Sequence, residues 1–284
     1  VGDFLMVFAV LGIPLIFLYK VNIKFLVVIA VLLFLQIPTL YNLLHSVLNP
    51  EFIYKQDWAF DDAAIDIYAN GSLFEVLKFN AFSGQVAKTM FVFHSGRYLD
   101  MLGLFICGLI IGRIKYFENV EQNNSFTKKI FLFSTVSAII FYSLRVIVPR
   151  LDLNETQLLL SKAITISYAE LSLTFVLLSG FVLAYQFLSK RFSFALLAAY
   201  GRMSLTSYVS QTLFGVLFYY GFALGMYKFF GISFSLVFAI VVFIIQIYLS
   251  QKWMEHFRFG PLEWLWRALT FTDFKIKFRR TEKT

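Results

Sequence analysis

Long apolar runs alternate along the chain with short polar or charged gaps. A helix crosses a hydrocarbon core of roughly 30 Å with about 20 mostly apolar residues. Seven runs approach that length: residues 4–19, 25–44, 98–112, 130–148, 165–188, 204–224 and 233–250. The first and third are short. A membrane β-barrel would instead alternate apolar and polar positions in segments of about ten residues. The runs here are continuous, so the pattern predicts an all-α integral membrane protein. It would be a polytopic bundle of about seven transmembrane helices with an amphipathic extracytoplasmic segment, in one domain over residues 1–284.

Composition supports the pattern. Of the 284 residues, 59% are hydrophobic and 15% charged, with 36 Phe, 15 Tyr and 4 Trp. An average soluble domain carries about 25% charged residues. The formal charge of +8 suggests nucleic acid at first sight, but the cations sit in clusters between apolar runs, and no zinc finger, Walker loop or GxGxxG accompanies them. The reading is therefore a lipid-bilayer partner and no nucleic acid. Clusters at Lys20 and Lys24, at Arg113, Lys115, Lys128 and Lys129, at Lys190, Arg191 and Arg202, and after residue 250 all fall on one side of a seven-helix topology. The positive-inside rule then puts the C-terminus in the cytoplasm. The single Cys107 lies within an apolar run and reads as a packing residue. The chain opens on Val1 with no basic leader and cleavage site, so a signal peptide is not expected. The expectation is a C-terminal piece of a longer chain.

Residues 45–97 form the long outer segment. Asp57, Asp61, Asp62 and Asp66 make its start acidic, but they lack an EF-hand pattern and read as a solvated face. "SLFEVLKFNAFSGQVAKTMFVF" is amphipathic and suits the headgroup plane or a cap over a cavity. Residues 251–284 form the cytoplasmic end, in which Trp253, Trp264 and Trp266 fit an interfacial belt ahead of a basic tail. "LFICGLIIGR" places Gly108 and Gly112 four apart, a spacing that lets helices approach in lipid.

Charged groups inside apolar spans are costly and mark candidate function. Arg145 and Glu170 both fall toward the outer ends of their runs, where they could pair with each other or snorkel toward the interface. "FHSGRYLD" brings His94, Arg97 and Asp100 to the start of the third run. A His beside a carboxylate suits a general base, and a guanidinium suits an anionic or sugar-like substrate. His45 is the alternative base, and His256 reads as interfacial. No spacing of His and Cys defines a metal site. In "YGRMSLTSYVSQTLFG", Ser204, Ser207, Tyr208 and Gln211 share one helical face. That face should line a cavity or another helix, since lipid would leave its donors unpaired.

"GRMSLTSYVSQTLFG" followed by "FGPLEWLWRALTF" resembles the YeiB-like domain-of-unknown-function-418 family of bacterial membrane proteins. "GDFLMVFAVLGI", "YANGSLFEVLKFN" and "LGLFICGLIIGR" extend the resemblance over nearly the whole chain. The family usually begins with further helices and an Arg- and Asp-containing segment, neither of which is present here. The resemblance implies a bacterial inner-membrane location and a relation to the transmembrane acyltransferase superfamily. It further implies transfer of an acyl group from a cytoplasmic acyl-CoA donor to an extracytoplasmic sugar or lipid-linked acceptor. Under that implication Arg202 and Arg267 would meet donor phosphates, and Glu263 and Trp264 of "GPLEWLWR" would help form the donor path. His94, Arg97 and Asp100 would face the acceptor. The competing readings are a transporter of a small solute or lipid-linked metabolite, and a non-catalytic scaffold.

Overall fold

The computed structural model describes residues 4–54 and 62–279. The described residues fold into helices and form no sheet; one isolated bridge joins Phe257 and Arg279. In chain order the helices are α1 Phe4–Leu18, α2 Ile23–Phe34, α3 Ile37–Leu48, α4 Asp62–Asn70, α5 Leu73–Ala81, α6 Ser83–His94 and α7 Arg97–Arg113. They continue as α8 Asn124–Ile147, α9 Glu155–Leu188, α10 Ala195–Gly201, α11 Ser204–Tyr219, α12 Ile232–His256 and α13 Pro261–Phe271.

Among the described residues, four stretches are long and apolar enough to cross a membrane: Ile23–Leu48, Asn124–Arg150, Glu155–Leu188 and Ile232–His256. A fifth is possible if Leu73–His94 and Arg97–Arg113, which meet at 80°, count as one bent span. Their surfaces explain the assignment. Only 6% of the most apolar window of Asn124–Arg150, and 6% of that of Ile232–His256, is buried within the protein. Phe133 and Ile232 stand 78% and 92% exposed. So much outward apolar surface is stable only against lipid tails, which makes the chain a multi-pass helical membrane protein.

The seven expected spans thus reduce to four or five, for local reasons. The first run forms a helix of only 15 residues with Pro14 inside it. The second still counts as one span, although it breaks between Phe34 and Ile37, where Gln36 takes a left-handed conformation ahead of Pro38. The third is the 17-residue limb that follows the 80° bend. The sixth stops after 16 residues at Tyr219, ahead of Gly221 and a left-handed Gly225.

The helices gather into two compact units: Val1–Phe60 with Phe79–Lys190, and Asp61–Lys78 with Arg191–Thr284. In the first, α2 packs on α7 around the fully buried Leu26 and Ile106 and the nearly buried Ala30. A side chain at Gly103 would collide with the Phe34 ring, so the close approach of these helices needs glycine there. Arg113, at the end of α7, donates to the carbonyls of Val21 and Leu18 and so caps the end of α1. The α8–α9 pair is the most extensive contact. It is sealed by small residues, with Ser134, Ser172 and Ser179 buried and Ser137 bonded to Ser172 at 2.8 Å. An Asn154–Gln157 capping box starts α9, and Gln157 Nε2 donates to the carbonyl of Ser46 on α3.

In the second unit, Ala199 and Met203 pack on Met254 and Trp253. Tyr220 packs edge-on against Tyr68 of α4, ring centroids 5.2 Å apart. Burial, with the Tyr220 phenol beside it, pushes the Tyr68 hydroxyl up to about 12. Of the acidic cluster expected near residue 60, Asp57 and Asp61 lie outside the described residues. Asp66 accepts a bond from Asn70 at 2.7 Å.

Candidate functional site

Two interruptions of helical backbone meet in the first unit. At Gln36 the chain is left-handed (φ 49°) between α2 and α3. At Gly96 it is left-handed again (φ 72°) at the 80° bend into α7. Tyr168 of α9 donates to the carbonyl of Leu35, satisfying one acceptor that the first break releases. Gln36 is 1% exposed. Its Nε2 donates to Asp100 Oδ2 at 2.8 Å and to Ser167 Oγ, and Ser167 Oγ donates to the same carboxylate oxygen. A buried carboxylate on α7 is thus tied to the break on one side and to α9 on the other.

A cavity of about 250 Å³ opens beside this cluster. His94, Arg97, Asp100 and Glu170 all line it, with Thr39, Tyr54, Ser167 and the apolar Phe91, Leu160 and Ile166. Four residues singled out in the sequence therefore share one site. Arg97 reaches Glu170 at 3.4 Å and lies over the Phe91 ring, 5.1 Å from its centroid. His94 is exposed at the bend, and the Tyr54 hydroxyl donates to its carbonyl at 3.4 Å. Two expectations change. Glu170 pairs with Arg97, while Arg145 points outward on α8. Asp100 bonds to Gln36 and Ser167, not to the His94 imidazole. Residues drawn together from α7 and α9 can hold a polar ligand between a cation and two carboxylates against an aromatic wall.

Sequence reasoning missed Gln36 and Ser167. Gln36 carried a signal, since Pro38 two residues on marks a chain break within an apolar run. Ser167 carried none, being one of several serines in its helix.

The other candidates lie in the second unit. Ser207 is buried, and its carbonyl accepts from Gln246 Nε2 of α12 at 3.1 Å. Gln211 donates to Gln246 Oε1 at 3.0 Å and to the Tyr200 hydroxyl at 2.9 Å. This part of the polar face binds a neighbouring helix, while Ser204 and Tyr208 are exposed. Glu263 accepts from Thr206 and so joins α13 to α11. Trp264 donates to the carbonyl of Ile276 at 2.9 Å. Arg267 lies over the Phe259 ring at 4.7 Å, and Arg202 is exposed at the end of α10. Among the described residues no cluster of His, Cys, Asp and Glu could hold a metal ion.

Fold and site together define a multi-pass α-helical membrane protein with a polar pocket built at the meeting of two interrupted helices. The model of the family described as "Protein of unknown function (DUF418)" matches residues 111–273, and the chain belongs to that family. It is similar to the uncharacterized protein YxaH of Bacillus subtilis, 24% identical over 293 aligned positions that cover 99% of this chain and 69% of that protein. It is also 43% identical over 74 residues to the uncharacterized protein YeiB of Escherichia coli, covering 26% of this chain and 19% of that protein. An uncharacterized 39.9 kDa protein from the amylase 3′ region of Bacillus acidopullulyticus is 38% identical over 79 residues, covering 26% of this chain and 21% of that protein. No solved structure matches the chain.

Proposed function

We propose that the chain is a membrane-embedded acyltransferase-like protein whose first unit holds a sugar-like acceptor. The observation that supports this is the convergence of His94, Arg97, Asp100 and Glu170 on one cavity with an aromatic wall. In this reading the His94 imidazole takes the proton from an acceptor hydroxyl as its oxygen attacks a thioester carbonyl. The carbon–sulfur bond breaks, and the departing thiolate takes up that proton. Arg97 and Glu170 hold neighbouring hydroxyls, and Phe91 packs against the sugar ring. Arg202 and Arg267 are the candidates for the phosphates of an acyl-CoA donor. The bacterial relatives favour a bacterial inner-membrane location, and Arg258, Arg267, Lys275 and Lys277, which follow the last long apolar helix, favour a cytoplasmic C-terminus.

The test is transfer of labelled acyl groups from acyl-CoA in membranes containing the protein. Wild-type membranes should transfer label above membranes that lack it, and His94→Ala should slow transfer by about 10²–10⁴-fold. Equal rates for the two proteins would remove His94 as the base. No transfer by the wild type would overturn the reading. Labelling of single cysteines placed after residue 270 from one side of sealed vesicles tests the orientation.

The paired breaks at Gln36 and Gly96 favour a second reading, transport of a small solute, because interrupted helices recur where transporters bind their cargo. Flux into liposomes without acyl-CoA separates it from the first.

A further inference from the structure

The cluster at the two breaks carries more acceptors than donors. Gln36 spends its amide nitrogen on Asp100 and Ser167, and Ser167 spends its hydroxyl hydrogen on Asp100. Gln36 Oε1 and Asp100 Oδ1 are left buried without a donor. Buried oxygens of this kind are costly unless something positive or hydrogen-bearing meets them.

The backbone provides room for such a partner. Gly96 has no side chain, and a Cβ there would lie 3.1 Å from Gln36 Oε1 and 3.4 Å from Thr39 Oγ1. The glycine face is therefore a small cradle bordered by two oxygens, one of them unsatisfied. Asp100 begins one turn further along the same helix.

The charge balance selects the occupant. Arg97 and Glu170 form an ion pair, and Lys162, which also lines the cavity, is exposed. Among the described residues Asp100 makes no ion pair, and Arg97, the cation nearest it, is engaged with Glu170, which leaves one carboxylate to meet the occupant. The free ligand atoms of the junction are all oxygens, from a carboxylate, an amide and a hydroxyl. Hard oxygen ligands suit alkali and alkaline-earth ions, and a single carboxylate favours the monovalent ones. Unwound helix segments hold sodium in this way at the midplane of transporters.

We propose that the junction of the two interrupted helices binds one monovalent metal cation, held by Asp100 Oδ1, Gln36 Oε1 and Thr39 Oγ1. The bound ion ties α3, α7 and, through Ser167, α9 into one body. The proposal goes beyond acyl transfer and does not depend on it.

Sodium is the probe. The whole chain, purified in detergent, is melted in sodium, potassium and choline chloride at one ionic strength and one pH, and ²²Na⁺ binding is measured in parallel. The expected result is a saturable rise in melting temperature with sodium, absent in choline. Asp100→Asn should abolish the rise, and Thr39→Val should weaken apparent sodium affinity at least tenfold. Should Asp100→Asn fail to fold, Thr39→Val and ²²Na⁺ binding to the wild type still decide the matter. Melting that is indifferent to the cation, or a sodium response kept in both variants, overturns the proposal. So does a response to pH alone, which would assign the unsatisfied oxygens to a proton.

Discussion

Thr206 and Glu263 cap each other's helices. The amide of Thr206, in the first turn of α11, donates to Glu263 Oε1 at 3.0 Å, and its hydroxyl donates to Oε2 at 2.5 Å. In return the Thr206 oxygen accepts from the amide of Leu262, in the first turn of α13, at 3.1 Å. Two helix starts, each with unpaired amides, thereby satisfy one another. A Cβ on Gly260 would collide with the Glu263 carboxylate and lie 2.9 Å from the Thr206 oxygen. The glycine and glutamate of "GPLEWLWR" thus have a common structural reason.

Removing either partner should destabilise the second unit. Glu263→Ala and Thr206→Val should each cost about 1 kcal/mol, the net worth of a half-buried hydrogen bond. The double variant should cost less than the sum, because the bond from the Thr206 hydroxyl to Glu263 is lost in either single change. Equilibrium unfolding in mixed micelles measures the cycle; strict additivity would refute the reciprocal cap.

Two glycines should respond in opposite directions. At Gly221 a methyl would run into the carbonyl of Ala69, and the Gly221 amide donates to the carbonyl of Tyr68 at 3.2 Å. Gly221→Ala should dislodge α4 and lower the melting temperature. Gly215, inside α11, has nothing within 4 Å of an added Cβ. Gly215→Ala should therefore stabilise the protein by about 0.5–1 kcal/mol through backbone entropy. A melting comparison of the two variants in the same detergent decides it.

Gln36 combines strain and bonding. A left-handed conformation costs a non-glycine residue about 1–2 kcal/mol. Gln36→Gly would relieve that cost but lose one bond to the Asp100 carboxylate, about 1.5–3 kcal/mol, and one to the Ser167 hydroxyl, about 0.5–1.5 kcal/mol. The expected balance is a net loss, read as a lower melting temperature; a gain would mean that strain outweighs the network.

Asn154 offers a simpler test. Its side chain accepts from the Gln157 amide at 2.8 Å in the box that begins α9. Asn154→Ala should cost about 0.5–2 kcal/mol, while Asn154→Asp should stay near wild type.

Tyr68 sets an alkaline limit. With its pKa raised from 10.0 to about 12, the folded state favours the neutral phenol. Its contribution is complete below pH 10 and falls as pH rises through about 12. Tyr68→Phe should flatten that part of the stability profile, monitored by near-UV circular dichroism.

The apolar pattern alone located the helices of the four long stretches and placed His94, Arg97, Asp100 and Glu170 as the polar groups worth watching. What it missed were interruptions and pairings. Run 25–44 reads as continuous because Gln36 is one polar residue among leucines, yet Pro38 cannot continue the helix behind it. Run 204–224 overshoots because Gly221 is small enough to pass as apolar. Arg145 was one partner the pattern offered Glu170, because hydropathy gives no direction in which a residue faces. Arg97, at the start of α7, is the cation that reaches the carboxylate, at 3.4 Å.

The 34 residues of α9 amount to roughly 50 Å of helix at about 1.5 Å each, well beyond a hydrocarbon slab of about 30 Å. Such a rod must lean or protrude, and a thinner bilayer forces it to lean further. Because Ser167 and Glu170 ride on it while Asp100 and Arg97 ride on α7, the lean would alter how the two halves of the polar pocket register. Lipid chain length then becomes a control on the pocket, acting through mismatch and needing no ligand of its own.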